Sequence, residues 1–281
     1  MSLLVVGALH WDVVVQADRM PRLDETLAGQ SVAYRFGGKG GNQAIAAARS
    51  GCKTAFAGRI GADDAGQAMR KELISAGIDV SRLQKGAGAS GMSVAITVAG
   101  GEYGAVIVSG ENREIGAGSI TLPMDCRIVL MQNELAPQML PAMARKASDA
   151  GAELWLNAAP ADGLGPDDLR CVDVLIVNRI EAADLFGMVP GDRKPADLVA
   201  ALRDIAPKAR VVVTLGADGV AFSTASGVEC AAAPKIVPVS MHGAGDVFVG
   251  TLAAASLRGE SFAAAIATAQ QAAAGHVAQI R

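Results

Sequence analysis

The chain has 281 residues, 51% of them hydrophobic, which excludes a disordered protein and leaves enough apolar side chain for one large α/β domain. With 25 basic against 28 acidic residues the net charge is −3. No basic field is present to hold nucleic acid, and two Trp and two Tyr leave little for base stacking.

The opening "MSLLVVGALHWD" has no basic segment before its apolar run, and no stretch reaches the length of a membrane span. A cytoplasmic protein with no nucleic-acid or membrane partner is expected. Cys52, Cys126, Cys171 and Cys230 are widely spaced with no C-x-x-C, so free thiols in a reducing compartment are expected rather than disulfides or a zinc ribbon.

Short apolar runs alternate with helical patterns. Strands are predicted at 3–9, 54–61, 127–132, 152–157, 172–178 and 210–216. Helices are predicted at 43–51, 64–77, about 137–150, 179–187, 195–206, 247–256 and about 261–278. In the second of these Ala65, Met69, Leu73 and Ala76 share one face. Runs that are apolar on every side suit strands covered on both faces. The expected fold class is therefore α/β, a mainly parallel central sheet flanked by helices. About 13–36 and 90–109 are strand-like with no helix between their strands, and "ITVAGGEYGAVIV" reads as two strands around a glycine-rich turn. These segments predict a small antiparallel β lid within a single domain spanning 1–281.

In open parallel sheets ligands sit beyond the carboxyl ends of the strands. Asp12, Glu134, Asn157, Asn178 and Gly216 each stand at or just past a predicted strand end. In "SMHGAGDVFVG" (240–250), Gly243, Ala244 and Gly245 precede Asp246 and a helical run. A helix start with bare backbone can hold an anion. A carboxylate beside such an anion repels it, which suggests a general base for a hydroxyl attacking a phosphate. The alternative on this stretch alone is a tight turn with Asp246 capping the helix. Neither this stretch nor "FGGKGGNQAIAAARSG" (36–51) satisfies G-x-G-x-x-G, and there is no G-x-x-x-x-G-K-[ST], G-x-S-x-G or histidine metal cluster.

Taken together, "GGKGGNQAIAAARSG", "HGAGDVFVG", "NRIE" (178–181), "TLGADG" (214–219) and "MPRLDETLAG" (20–29) resemble the ribokinase-like, or PfkB, family of carbohydrate kinases over nearly the whole chain. The resemblance implies transfer of the γ-phosphoryl group of ATP, with Mg²⁺, to a hydroxyl of ribose or a related sugar. A nucleoside or pseudouridine-type kinase, and a weakly active ligand-binding homologue, are the alternatives. By position, Asp246 would be the base and Gly243, Ala244 and Gly245 the anion hole. His10, Asp12, Gly38, Lys39, Gly40, Gly41, Asn42 and Glu134 would form the sugar site. Asn178, Thr214, Leu215, Gly216, Ala217, Asp218, Gly219 and Gln270 would hold ATP, and Glu181 would act on Mg²⁺ through water. The lid would exclude water and pair two chains into a homodimer.

Each residue has a plainer alternative. Lys39 and Glu134 would be solvated charges, and Glu181 a first-turn helix carboxylate favoured by the dipole. His276 would be an ordinary helix residue, and Trp155 core. The chain also departs from the family pattern. Ser240, Met241 and His242 replace the usual residues before the turn, and His10 with Trp11 stands where ribokinases commonly carry Asn, which admits a different, stacked ring. The family's monovalent cation would lose an anionic ligand at Ser240, and some carbonyl ligands would lie past Arg281. Activation by potassium is therefore not expected.

Overall fold

The computed structural model describes residues 1–98, 103–189, 191 and 193–278. The lid turn at 99–102 and Arg281 lie outside the described residues. The first strand, β1 (Ser2–Val6), is buried along its whole length. The chain then leaves the main sheet for β2 (His10–Ala17) and β3 (Ser31–Gly37), and returns through α1 (Lys39–Arg49), β4 (Thr54–Ile60), α2 (Asp64–Ser75) and β5 (Asp79–Lys85). A second excursion makes β6 (Met92–Val98) and β7 (Tyr103–Val108). The remainder alternates as β8 (Cys126–Gln132), α3 (Met139–Asp149), β9 (Glu153–Asn157), α4 (Pro166–Leu169), β10 (Val174–Asn178), α5 (Arg179–Asp184), α6 (Pro195–Ile205) and β11 (Arg210–Thr214). It closes with a hairpin, β12 (Val220–Thr224) and β13 (Gly227–Ala231), and two helices, α7 (Ala244–Leu257) and α8 (Phe262–Val277).

The nine-stranded sheet has the order β13-β12-β11-β10-β9-β8-β1-β4-β5. It is parallel from β11 to β5, as the uniformly apolar runs predict, and the β11–β12 and β12–β13 pairs at its other edge are antiparallel. Successive β-strand residues face opposite sides, which separates two cores. Leu4, Val6, Val129 and Val177 face one with Met143 and Leu202; Leu3, Val5, Leu130 and Ile176 face the other with Phe56, Phe248 and Ile266. Trp155 is fully buried there, edge-on to Phe262 at 6.5 Å, as the core reading expects. Among the described residues no helix is long and apolar enough to cross a membrane.

The second sheet has the order β3-β2-β6-β7 and matches the predicted lid segments. Each of its two hairpins is antiparallel, and the seam between them, β2 on β6, is parallel. The lid root is tied to the main body by buried polar bonds. Asn112 accepts from Leu9 N–H (2.9 Å) and donates to Leu9 C=O (2.8 Å). Asp63 caps α2 through Gly66 N–H and also accepts from Ser90 N–H, both at 2.8 Å.

The sheet order places the site. From β1 the chain steps outward to β4 and β5 on one side. It later steps from β8 through β9 and β10 to β11 on the other. The connections therefore diverge between β1 and β8, and a crevice opens beyond their carboxyl ends.

Candidate active site

The turn before α7 shows why the side chains are stripped there. Gly243 is the N-cap with φ 75°, a left-handed conformation that costs a side-chain-bearing residue about 1–2 kcal/mol. Ala244 and Gly245 open the helix, and its first i→i−4 bond runs from Val247 N–H to Gly243 C=O. The earlier N–H groups belong to the first turn, at the positive end of the dipole. Asp246 sits in that turn but makes no capping bond, so the plain capping alternative does not describe it.

The Asp246 carboxylate is instead held from α1. Gln43 Nε2 donates to Oδ1 (3.0 Å) and Asn42 Nδ2 donates to Oδ2 (3.2 Å). Burial pushes its pKa up; the two amide donors and Lys39 pull it back, Glu134 pushes it further, and it stands at about 6. A carboxyl with that pKa is ionised near neutral pH yet close enough to it to exchange a proton. The helices meet closely because α7 has Gly250 opposite α1. A Cβ on Gly250 would lie 2.3 Å from the Gln43 carbonyl oxygen.

Around this carboxylate lies a cavity of about 170 Å³ whose lining includes Lys39, Asn157, Asn178, Glu181, Thr214 and Gly243. Lys39 opens α1; its Nζ lies 3.2 Å from Glu134 Oε1, and its N–H donates to Glu134 Oε2 (2.9 Å). The Glu134 side chain is 12% exposed and that of Lys39 36%, so the pair is half-buried rather than fully solvated. Burial pulls the Lys39 ammonium down, but Glu134 outweighs it and leaves the group above its ordinary range. Asn178 caps α5 by accepting from Glu181 N–H, and Glu181 Oε2 accepts from Asn178 N–H, both at 2.8 Å. Glu181 is thus both the plain first-turn carboxylate and a cavity wall. Burial raises its pKa, while the Asn178 bond and Lys39 oppose the shift.

On the lid side, Asp12 lies in β2 opposite Arg35 and accepts a hydrogen bond from Ser93 Oγ. Its carboxylate occupies the space a Cβ on Gly37 would need, next to Gly38, the N-cap of α1. His10, at the lid root, is 5% exposed, and its Nε2 has no hydrogen-bond partner among the described residues.

A family model described as "pfkB family carbohydrate kinase" matches residues 1–280. The chain belongs to that family. It is an ATP-dependent sugar kinase with the ribokinase fold. The kinase is 31% identical over 280 residues to a ribokinase of Haemophilus influenzae, covering 97% of this chain and 91% of the relative. It is 28% identical over 276 residues to a ribokinase of Bacillus subtilis, covering 97% and 91%. The solved structure of Arabidopsis thaliana ribokinase complexed with ribose and ATP superposes with a TM-score of 0.88 at 25% identity, over 98% of this chain and 92% of that one.

In the kinase, tertiary structure brings Asp246, Gly243, Gly245, Lys39, Asn178, Glu181 and Thr214 to one cavity. Asn42 reaches it through Asp246, and Glu134 through Lys39. Leu215 to Gly219 follow Thr214 in a turn closed by Leu215 N–H donating to Gly219 C=O (2.8 Å), with Ala217 exposed and Asp218 paired to Arg179. Gly40 and Gly41 are buried in α1 against Gly7, Ala8 and Leu9, just past β1, and against Phe36, which is a packing reason for those glycines rather than an open wall. Gln270 does not line the cavity; its amide donates to the Ala231 and Ala232 carbonyls. Trp11 is partly buried and packs against the core. His276 bonds through Nε2 to the His242 carbonyl (2.9 Å), which ties α8 to the turn and is more than the ordinary helix role. Gln43 and Gln132 carry no role in the sequence reading. The signal for Gln43 was its place beside Asn42, with no charge or glycine of its own to mark it.

Proposed function

We propose that this kinase transfers the γ-phosphoryl group of ATP to a hydroxyl of ribose or a close pentose relative, with Asp246 as general base. The observation that carries the reading is the Asp246 carboxylate itself, poised at about 6 beside a bare helix start. The hydroxyl oxygen forms the new bond to the γ-phosphorus, its proton passes to Asp246, and the bond from the γ-phosphorus to the β–γ bridging oxygen breaks to release ADP. Gly243, Ala244 and Gly245 present backbone N–H groups and the helix dipole to the transferring group. Lys39, which lines the same cavity, adds a positive charge.

His10, Asp12, Gly38, Lys39, Asn42 and Glu134 hold the sugar. Asp12 and Glu134 accept from its hydroxyls and Asn42 donates. Asn178, Thr214 and the turn to Gly219 hold the phosphates of ATP. A resident Mg²⁺ fits what is present. Among the described residues no group of three His, Cys, Asp or Glu could cage an ion, and Mg²⁺ bound with phosphates needs only one or two carboxylates besides its waters. Glu181, partly buried and lifted in pKa, is the residue that would hold it, through water, to neutralise phosphate charge.

The lid shields the site from water, which otherwise competes with the sugar for the phosphoryl group. A panel of pentoses, deoxyribose, hexoses and nucleosides with an ATP-consumption readout tests this reading. Ribose or a near relative is expected to give the highest kcat/KM. A nucleoside preferred by tenfold or more would overturn the sugar assignment, and no ATP consumption on any substrate would overturn the catalytic one.

A further inference from the structure

The amide of Gln43 is completely buried and every one of its polar positions is committed. Nε2 donates to Asn157 Oδ1 (2.9 Å) as well as to Asp246 Oδ1 (3.0 Å), and Oε1 accepts from Gln132 Nε2 (2.6 Å). Asn157 is itself held at the end of β9 because its Nδ2 donates to the Ile176 carbonyl (3.1 Å) in β10. That bond turns Asn157 Oδ1 toward Gln43. Reversing the Gln43 amide would set its oxygen against Asn157 Oδ1 and Asp246 Oδ1, an acceptor facing two acceptors. The orientation is therefore forced by Asn157 at the end of β9 and by Asp246; Gln132, whose own Oε1 has no partner among the described residues, follows it.

The two oxygens of Asp246 are consequently unlike. Oδ1 is held by a buried donor that cannot turn and cannot reach solvent. Oδ2 is held by Asn42, a partly exposed side chain assigned to the sugar. We infer that Gln43 is a positioning residue for phosphoryl transfer: anchored by Asn157 and Gln132, it fixes the Asp246 carboxylate and reserves Oδ2 as the oxygen that takes the hydroxyl proton. This rests on Asp246 being the base.

Other charges also face the Asp246 carboxylate. They are Lys39 at the start of α1, Glu134 beyond β8 and Glu181 on α5; the titratable side chains of the neighbouring turn and α8 are His242 and His276, the latter bonded to the His242 carbonyl. None of them is altered by removing the Gln43 donor, so a pH profile isolates it.

The test compares wild type, Gln43→Met, Asp246→Asn and the double variant, with ATP and ribose, from pH 5 to 9. Methionine keeps the length of glutamine and lacks the donor. Gln43→Met is expected to lower kcat by roughly 10- to 100-fold, the range for a slightly misplaced catalytic group. KM for ribose and for ATP should stay within about threefold, and the acid limb of kcat/KM should move up by about one pH unit, because a donor to the charged form is gone. The double variant should be no slower than Asp246→Asn alone, since residues acting as one unit are not additive.

An unmoved acid limb, a loss carried by KM, or additive losses would overturn the inference. If Gln43→Met does not fold, Gln132→Met leaves the Nε2 donor in place but releases its anchor. A smaller upward shift of the same limb supports the inference, and an unchanged limb overturns it. Wild-type kcat in Asp246→Asn would sink the base assignment itself. An inactive Asp246→Asn beside a fully active Gln43→Met would sink only the role of Gln43.

Discussion

Asp246 shows how burial and hydrogen bonding set a chemical task against each other at one residue. Asp246→Asn is expected to lower kcat by about 10²–10⁴-fold or more while the protein stays folded, because general-base assistance is of that size. Near-normal kcat with an unchanged circular dichroism spectrum would contradict it. The same residue links stability to pH. Its carboxyl moves from 3.8 to about 6 on folding, so the folded state binds the proton more tightly. The stabilisation from protonated Asp246 is full below about pH 4 and gone above about pH 6. The Tm difference of Asp246→Asn over wild type should therefore grow by a few degrees across that window and level off above it; a flat difference would show that the carboxyl is not shifted. On the sugar side, alanine at Asp12 or Asn42 should weaken ribose binding by about 1–3 kcal/mol each and ATP binding much less. Calorimetry giving equal losses for both ligands would remove them from the sugar site.

At the scale of elements, the site depends on two helix starts and the short segment before α7. That segment is sewn to the end of α8: Val239 N–H donates to Val277 C=O (2.7 Å), and His276 bonds to the His242 carbonyl. Ser240 is exposed and neutral, and its Oγ accepts from His242 N–H at 3.4 Å. A weakly held monovalent cation needs anionic or well-aimed carbonyl oxygens to offset its lost hydration. Here the side chain is uncharged, and the carbonyls of His242 and Val277 already accept hydrogen bonds. The rate should be the same in sodium, potassium or a bulky organic cation at equal ionic strength. A severalfold rise with potassium alone would show that backbone carbonyls suffice.

For the whole molecule, the lid is the sheet that leaves apolar side chains in water. Val32, Tyr34, Val94, Val106 and Val108 are exposed on one face of the four-stranded sheet, an apolar surface with open edges that water does not favour. We propose a homodimer formed through the lids. Light scattering at micromolar concentration should give twice the chain mass, and Val106→Asp, on the apolar face, should give a monomer with weakened sugar binding. A wild-type monomer under those conditions would refute the pairing.

Much of this protein follows from the chain alone. The uniformly apolar runs determine a mainly parallel sheet, because strands covered on both faces have no polar side to show. The bare turn at 243–245 points to the anion site we propose, because only small residues let backbone amides approach a ligand. In the hairpin β12–β13, β12 is a mostly buried run of five residues and β13 a mixed, half-exposed one with little periodicity to read, and the pair emerges only in the folded sheet. The same is true of the placement of Gly40, Gly41 and Gln270 in packing contacts, and of the amide chain Gln132–Gln43–Asp246. Those residues lie 89 and 203 positions apart, and a neutral amide shows nothing in a sequence of which partner it will meet. Its partners are decided when α1 crosses α7 at Gly250 and the ends of β8 and β9 come to the same crevice, because a hydrogen bond is set by distance and direction in space.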